Sequence, residues 1–288
     1  MQPLYLDGSA SAAGRLFAML HWPAGPVRGL VVHAHAFGEE MNKSRRMVAL
    51  QARALAAAGH AVLVPDLSGC GDSDGDFSQA TWGGWVDDLA LACGWLRQRA
   101  EAAATAPDRS ASLDLAAPPL AVWGHRAGTL LATQVAARLG DVAHLLLWQP
   151  TPTGKTVLQQ FLRLATVGDL LGGQAATGTA ALRQRLLGGQ AVEVAGYVLN
   201  PALGTGLDAA RLQPAPGVSR LTWLECSPRD DAALSPASTA TLDAWRGAGC
   251  DVQAQAVQGP AFWQTTEIED APALIKASLH ALSTQPTH

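Results

Sequence analysis

This sequence is poor in what several classes of function require. Only 15% of its 288 residues are charged, the formal net charge is −4, and Lys and Arg gather in no stripe. That argues against nucleic acid as a main partner. The four cysteines, Cys70, Cys93, Cys226 and Cys250, are far apart and form no C-x-x-C pair. A disulfide framework or zinc knuckle is therefore not expected, and a reducing compartment is the simpler reading. No uninterrupted apolar run approaches the ~18 residues of a membrane span. The start, Met1-Gln-Pro-Leu-Tyr-Leu-Asp-Gly, has neither the charged nor the apolar region of a secretory signal. A soluble, cytoplasmic protein is expected.

What the chain does have is apolar bulk, 48% of its residues, enough for one large core or a core with an insertion. Short apolar runs at 16–21, 29–34, 61–66, 120–124, 144–148, 221–226 and 252–257 read as strands. Helical spacing recurs at 44–58, 82–99, 129–139, 238–247 and 271–282. Strands that do not alternate, separated by amphipathic helices, predict an α/β fold with a mostly parallel, doubly wound sheet and right-handed crossovers. Residues 100–118 read as a surface loop. Residues 151–220, with helical patterns at 156–171 and 180–187, are too long for a bare loop. They predict a helical cap inserted between core segments 1–150 and 221–288, above the carboxyl ends of the strands.

The most informative motif is Trp123-Gly124-His125-Arg126-Ala127-Gly128. Two glycines flanking a central residue, between a strand and a helix, describe the turn G-x-S-x-G that presents a catalytic serine. Here arginine stands where the serine belongs, and a guanidinium cannot attack a carbonyl. The other parts of an acyl-transfer site are unevenly kept. An acid is available after the strand at 221–226, as Asp230 or Asp231, with helix capping as the equally weighted alternative. The general base should follow the last strand, but that loop reads Gly259-Pro-Ala-Phe262-Trp263-Gln264. Neither ring can shuttle a proton.

The oxyanion side, after the strand at 29–34, reads His35-Ala-Phe37-Gly-Glu39-Glu40-Met-Asn42-Lys43-Ser44-Arg45-Arg46. It is unusually charged for this chain. A turn there, with a helix starting at Ser44, would offer backbone N–H groups. His33 and His35 alone make a weak metal signal, so no metal and no cofactor are expected. The Asp- and Gly-rich run from Pro65 to Gly75 misses calcium-loop spacing, and nothing nearby in sequence would activate Cys70.

Together, Glu39-Glu-Met-Asn-Lys-Ser-Arg45, the Gly-His-Arg-Ala-Gly turn, Leu147-Trp-Gln-Pro150 with Gly154-Lys155 and Gln159-Gln-Phe-Leu-Arg163, and Gly259-Pro-Ala-Phe-Trp-Gln-Thr-Thr-Glu-Ile resemble the second type of exosortase A system-associated hydrolase over essentially the whole chain. The resemblance implies an α/β-hydrolase fold in a bacterial setting of exopolysaccharide synthesis and sorting of PEP-CTERM proteins. It also implies that Arg126 and the Phe-Trp pair are usual in that family. Fold alone does not establish an activity.

Three readings follow. Arg126 could anchor an anionic substrate for a hydrolase or acyltransferase that uses Glu39, Glu40, Asp230 or Glu267, or an activated water, as base. The protein could instead be a binding pseudo-hydrolase for a small acidic, lipid, acyl or glycan-derived ligand or a component of the exosortase system, with His35, Phe37, Asn42, Lys43, Arg45, His125, Ala127, Phe262 and Trp263 around the site. Or Arg126 could be a structural tie to Asp230, Asp231 or Glu267, because an unpaired buried arginine is costly.

Overall fold

The computed structural model describes residues 1–8, 14–105, 117–171, 178–229 and 233–283, with only the backbone described at 166–171. Eight strands form one sheet: β1 (Gln2–Leu6), β2 (Leu16–His21), β3 (Gly29–Ala34), β4 (His60–Pro65), β5 (Leu120–His125), β6 (His144–Trp148), β9 (Arg220–Ser227) and β10 (Asp251–Gln258). Their order is β1-β2-β4-β3-β5-β6-β9-β10. The pairs β1–β2 and β2–β4 are antiparallel. The rest, from β4–β3 to β9–β10, are parallel. This is the mostly parallel sheet expected from the buried, non-alternating strands, in the α/β-hydrolase arrangement that the resemblance implies.

The central strands are apolar throughout because both of their faces are covered. In β3, Leu30, Val32 and Ala34 join one apolar cluster and Val31 the other; in β5, Leu120 and Val122 oppose Ala121 and Trp123. Helices α2 (Trp82–Ala104), α3 (Gly128–Leu139) and α7 (Pro236–Gly247) supply Trp85, Leu130 and Trp245 to the first cluster. Helices α1 (Glu39–Ala57) and α8 (Pro272–Ser283) supply Met47, Leu55 and Leu274 to the second.

Between β6 and β9 the chain forms α4 (Gly154–Leu171), α5 (Thr179–Leu187), a hairpin of β7 (Val192–Val194) and β8 (Tyr197–Leu199), and α6 (Pro201–Ala209). The hairpin turn takes Ala195 and Gly196 to φ 49° and 83°, as tight pairing of right-twisted strands requires. Asn200 caps α6 through the Ala202 N–H, and Pro201 starts it. Among the described residues no helix is long and apolar enough to cross a membrane.

Several boundaries differ from the sequence reading. Helix α1 starts at Glu39, not at Ser44, because Gly38 at φ 56° turns the chain straight into the helix. Ser44 is buried inside it, its hydroxyl donating to Glu40 O at 2.6 Å. Helix α2 continues to Ala104, so only part of the expected loop at 100–118 remains, and 106–116 lie outside the described residues. Ser235, not an aspartate, caps α7. Strand β1, the β7–β8 hairpin and α6 had no place in that reading.

Candidate functional site

The strand-to-helix turn takes the shape its glycines imply. Strand β5 ends at His125 and α3 begins at Gly128, leaving Arg126 and Ala127 to make the turn. Arg126 has φ 53°, a left-handed conformation uncommon outside glycine. It is held by the Arg126 N–H donating to Trp148 O at 3.0 Å and by the Thr129 N–H and hydroxyl donating to Arg126 O at 3.0 and 2.6 Å. A Cβ on Gly124 would stand 2.7 Å from Thr129 Cα, and one on Gly128 would be driven into the carbonyl oxygen of Ala34. Strain of this kind, about 1–3 kcal/mol, persists only where the surroundings over-determine it, often at functional sites. Ala127 supplies the N-cap of α3, the position whose N–H serves as an oxyanion donor in this fold.

The side chain of Arg126 meets Glu40. Nε donates to Oε1 and Oε2 at 3.2 and 3.1 Å, and Nη2 donates to Oε1 at 3.0 Å. Nη2 also donates to Gln160 Oε1 at 2.9 Å, and Nη1 to Thr151 Oγ1 at 3.4 Å. The guanidinium carbon stands 5.7 Å from the centre of the Trp263 ring, within cation–π range. The Arg126 side chain is 10% exposed and that of Glu40 is 23%. One arginine thus joins the elbow, the first turn of α1, the segment after β6 and helix α4.

Among the described residues the acid facing Arg126 is Glu40, which the sequence reading gave as a candidate base rather than as the partner of Arg126. Glu267 is exposed on the loop before α8, and Asp230 and Asp231 lie outside the described residues. The sequence reading quoted Gln160 only within the motif that carries the resemblance and gave neither it nor Thr151 a place beside Arg126, because their approach depends on how the segment after β6 and helix α4 land on the elbow.

The charged oxyanion segment is the first two turns of α1, and its side chains reach outward to different parts of the fold. Glu39 Oε2 accepts from Asn42 Nδ2 at 3.2 Å and from the Tyr197 hydroxyl at 3.0 Å. Lys43 Nζ donates to Gln264 O at 3.2 Å. Arg45 pairs with Asp66 at 3.2 Å, and Arg46 forms a two-pronged pair with Asp270 at 2.8 Å. Glu39 and Glu40 also sit where the helix dipole favours negative charge. Burial and Glu39 together raise the Tyr197 phenol to about 12.

At the base position the two rings pack inward. Phe262 stacks on His125 at 5.3 Å between centroids and 25° between planes, while Trp263 meets His125 edge-on at 5.6 Å. His125 is fully buried. Burial, then His33, then Arg126 hold its imidazole well below the ordinary histidine range, so it is neutral. His35 is buried too: its Nδ1 donates to Ala36 O at 2.7 Å and its Nε2 accepts from the Leu67 N–H at 3.4 Å. Cys70 and Cys226 are not activated, since burial pushes each thiol up to about 12. Among the described residues no group of three His, Cys, Asp or Glu could hold a metal.

Above the turn that follows β3, aromatic rings close together. Phe37 lies 4.9 Å from Phe161 of α4 and 5.9 Å from Phe77; Tyr197 lies 5.1 Å from Phe77 and 6.1 Å from Phe161. A Cβ on Gly38 would come 3.1 Å from Phe161 Cε2.

Among solved structures the chain is similar to Est1E from Butyrivibrio proteoclasticus with ferulic acid bound, at TM-score 0.62 and 18% identity over 98% of this chain and 100% of that one. It is similar to an α/β serine hydrolase without a lid from Xanthomonas campestris, at TM-score 0.57 and 15% identity over 99% and 96%. It is also similar to a thermostable carboxyl esterase from Bacillus coagulans, at TM-score 0.54 and 16% identity over 90% of each. Identities this low establish the shared fold and nothing finer. No curated protein matches the chain significantly. The model of the Hydrolase_4 family (serine aminopeptidase, S33) matches residues 25–178, more than half of the sequence. With its parallel sheet, its glycine-flanked elbow and that match, the chain belongs to the Hydrolase_4 family of α/β hydrolases.

Proposed function

We propose that this protein is a non-catalytic member of its family, a cytoplasmic binding protein of the exosortase and PEP-CTERM sorting system in which the old nucleophile position has become a structural tie. The observation that carries the reading is the Arg126–Glu40 pair. A guanidinium that already donates to Glu40, Gln160 and Thr151 has little left to offer an incoming carboxylate or phosphate. The tie is therefore better supported than the anion anchor. The setting in polysaccharide export and protein sorting rests on the sequence resemblance, and a sorting component or a glycan- or lipid-derived molecule is the class of partner it suggests.

The competing reading, hydrolysis by an acidic residue or an activated water, lacks a free base in the described residues. Both oxygens of Glu40 face Arg126, Glu39 is engaged by Asn42 and Tyr197, and Glu267 is exposed away from the elbow contacts. Losing the serine or histidine of a triad costs on the order of a million-fold in rate where it has been measured. The test is incubation with a fluorophosphonate probe alongside a panel of nitrophenyl esters. We expect no labelled serine and no turnover above a heat-treated sample. Stoichiometric labelling of any serine would sink the proposal.

A further inference from the structure

Between α1 and strands β2, β3 and β4 lies a cavity of about 190 Å³. Three of the chain's four methionines, Met1, Met19 and Met41, line it, together with Val48, Ala49 and Val64. Methionine adapts its shape to irregular apolar guests, and an apolar cavity of about 150 Å³ is large enough for benzene. One wall is different. It carries the Arg45–Asp66 pair, joined at 3.2 Å, with Arg45 46% exposed and Asp66 5%.

That pair has unused capacity on both sides. Asp66 Oδ2 accepts from Asp72 N–H at 3.0 Å and Arg45 Nη2 at 3.3 Å, whereas Oδ1 faces only Arg45 Nη1 among the described residues. A carboxylate oxygen can accept a second hydrogen bond, and a guanidinium carries five donors. The charges of Arg45 and Asp66 offset each other, and burial, joined at His21 by the positive chain N-terminus of Met1, holds the lining histidines His21, His33 and His35 below the ordinary range, hence uncharged.

We propose that this cavity is a second ligand site, separate from the elbow, for a small neutral alcohol of about six to ten heavy atoms. Its alkyl part lies among the methionines, and its hydroxyl donates to Asp66 Oδ1 and accepts from Arg45. An acid of the same length is disfavoured because its carboxylate would face Asp66, and an alkane because it leaves the pair unanswered.

The methionines provide the test. With methyl-¹³C-methionine, Met19 and Met41 report on the cavity, while Met47, buried between α1 and α8, serves as an internal reference. Titrating the full-length protein with 1-hexanol should shift the Met19 and Met41 signals saturably and leave Met47 in place. Hexanoate should bind at least about tenfold more weakly. Ala49→Phe, which fills the cavity from α1, and Val64→Phe, which fills it from β4, should each abolish the shifts while keeping the Met47 signal. Non-saturable or uniform shifts, tighter binding of hexanoate, or full binding in a folded filled variant would overturn the proposal.

Discussion

Replacing Glu40 with glutamine would leave Arg126 as a cation held only by neutral partners. Removing one member of a buried pair costs about 3–5 kcal/mol, whereas exposed pairs contribute about 0–1 kcal/mol. With Arg126 10% exposed and Glu40 23% exposed, Glu40→Gln should cost about 3 kcal/mol. In a chain of 288 residues that lowers Tm by about 6 °C, taking about 2 °C per kcal/mol. Arg126→Met should cost about 2 kcal/mol, because the orphaned Glu40 can turn partly to water. The two losses should not add. The double variant should resemble the milder single change, giving a coupling energy of about 2–3 kcal/mol in a double-mutant cycle followed by urea unfolding. The exposed pair Arg246–Asp243, at 49% and 63%, is the control and should couple by no more than about 0.5 kcal/mol. A Glu40–Arg126 coupling as small as the control's would refute the tie.

Other outcomes follow from the same structure. Arg126→Ser with Phe262→His should still give no esterase, because residue 262 is buried against His125 and Trp148, where an imidazole is held in the core; a nitrophenyl butyrate assay decides this, and turnover well above the single variants would count against that placement. Gly128→Ala should prevent soluble folding, since its Cβ would meet the Ala34 carbonyl. Gly140→Ala, with φ 74° but open space, should cost only about 1 kcal/mol. Burial holds His33 and His144 at about 3, below their ordinary value of 6.5. Their stability contribution is therefore complete above pH 6.5 and lost as pH falls, because the unfolded chain takes up protons that the folded one refuses. By pH 5 the loss should reach about 2 kcal/mol for each, read as a falling urea midpoint; a flat profile from pH 7 to 5 would contradict it.

The sequence exposed some of this and hid the rest for physical reasons. Strands such as Gly29–Ala34 and Leu120–His125 were legible because a buried parallel strand must be apolar on both faces. The elbow was legible because Gly124 and Gly128 answer to backbone contacts that no other residue tolerates. The partner of Arg126 was not legible. Its partner Glu40 is 86 positions away, and the sequence reading placed that glutamate in a loop before Ser44. Once Gly38 starts the helix early, the first turn of α1 swings Glu40 onto the elbow. The β7–β8 hairpin escaped because three-residue strands carry too little pattern, and Gln160 because helical spacing does not say which neighbour a helix face will meet.

Where the Arg126 guanidinium spends its donors can be observed directly. In protein labelled with ¹⁵N-arginine, the Nε–H resonance of Arg126, assigned by its loss in Arg126→Lys, should be displaced downfield by the carboxylate, slow to exchange with water, and unmoved by titration with phosphate or acetate. Glu40→Gln should return it to the ordinary arginine position. A resonance that exchanges rapidly with solvent in the wild type, or that shifts saturably with added anion, would show an open guanidinium and contradict the account.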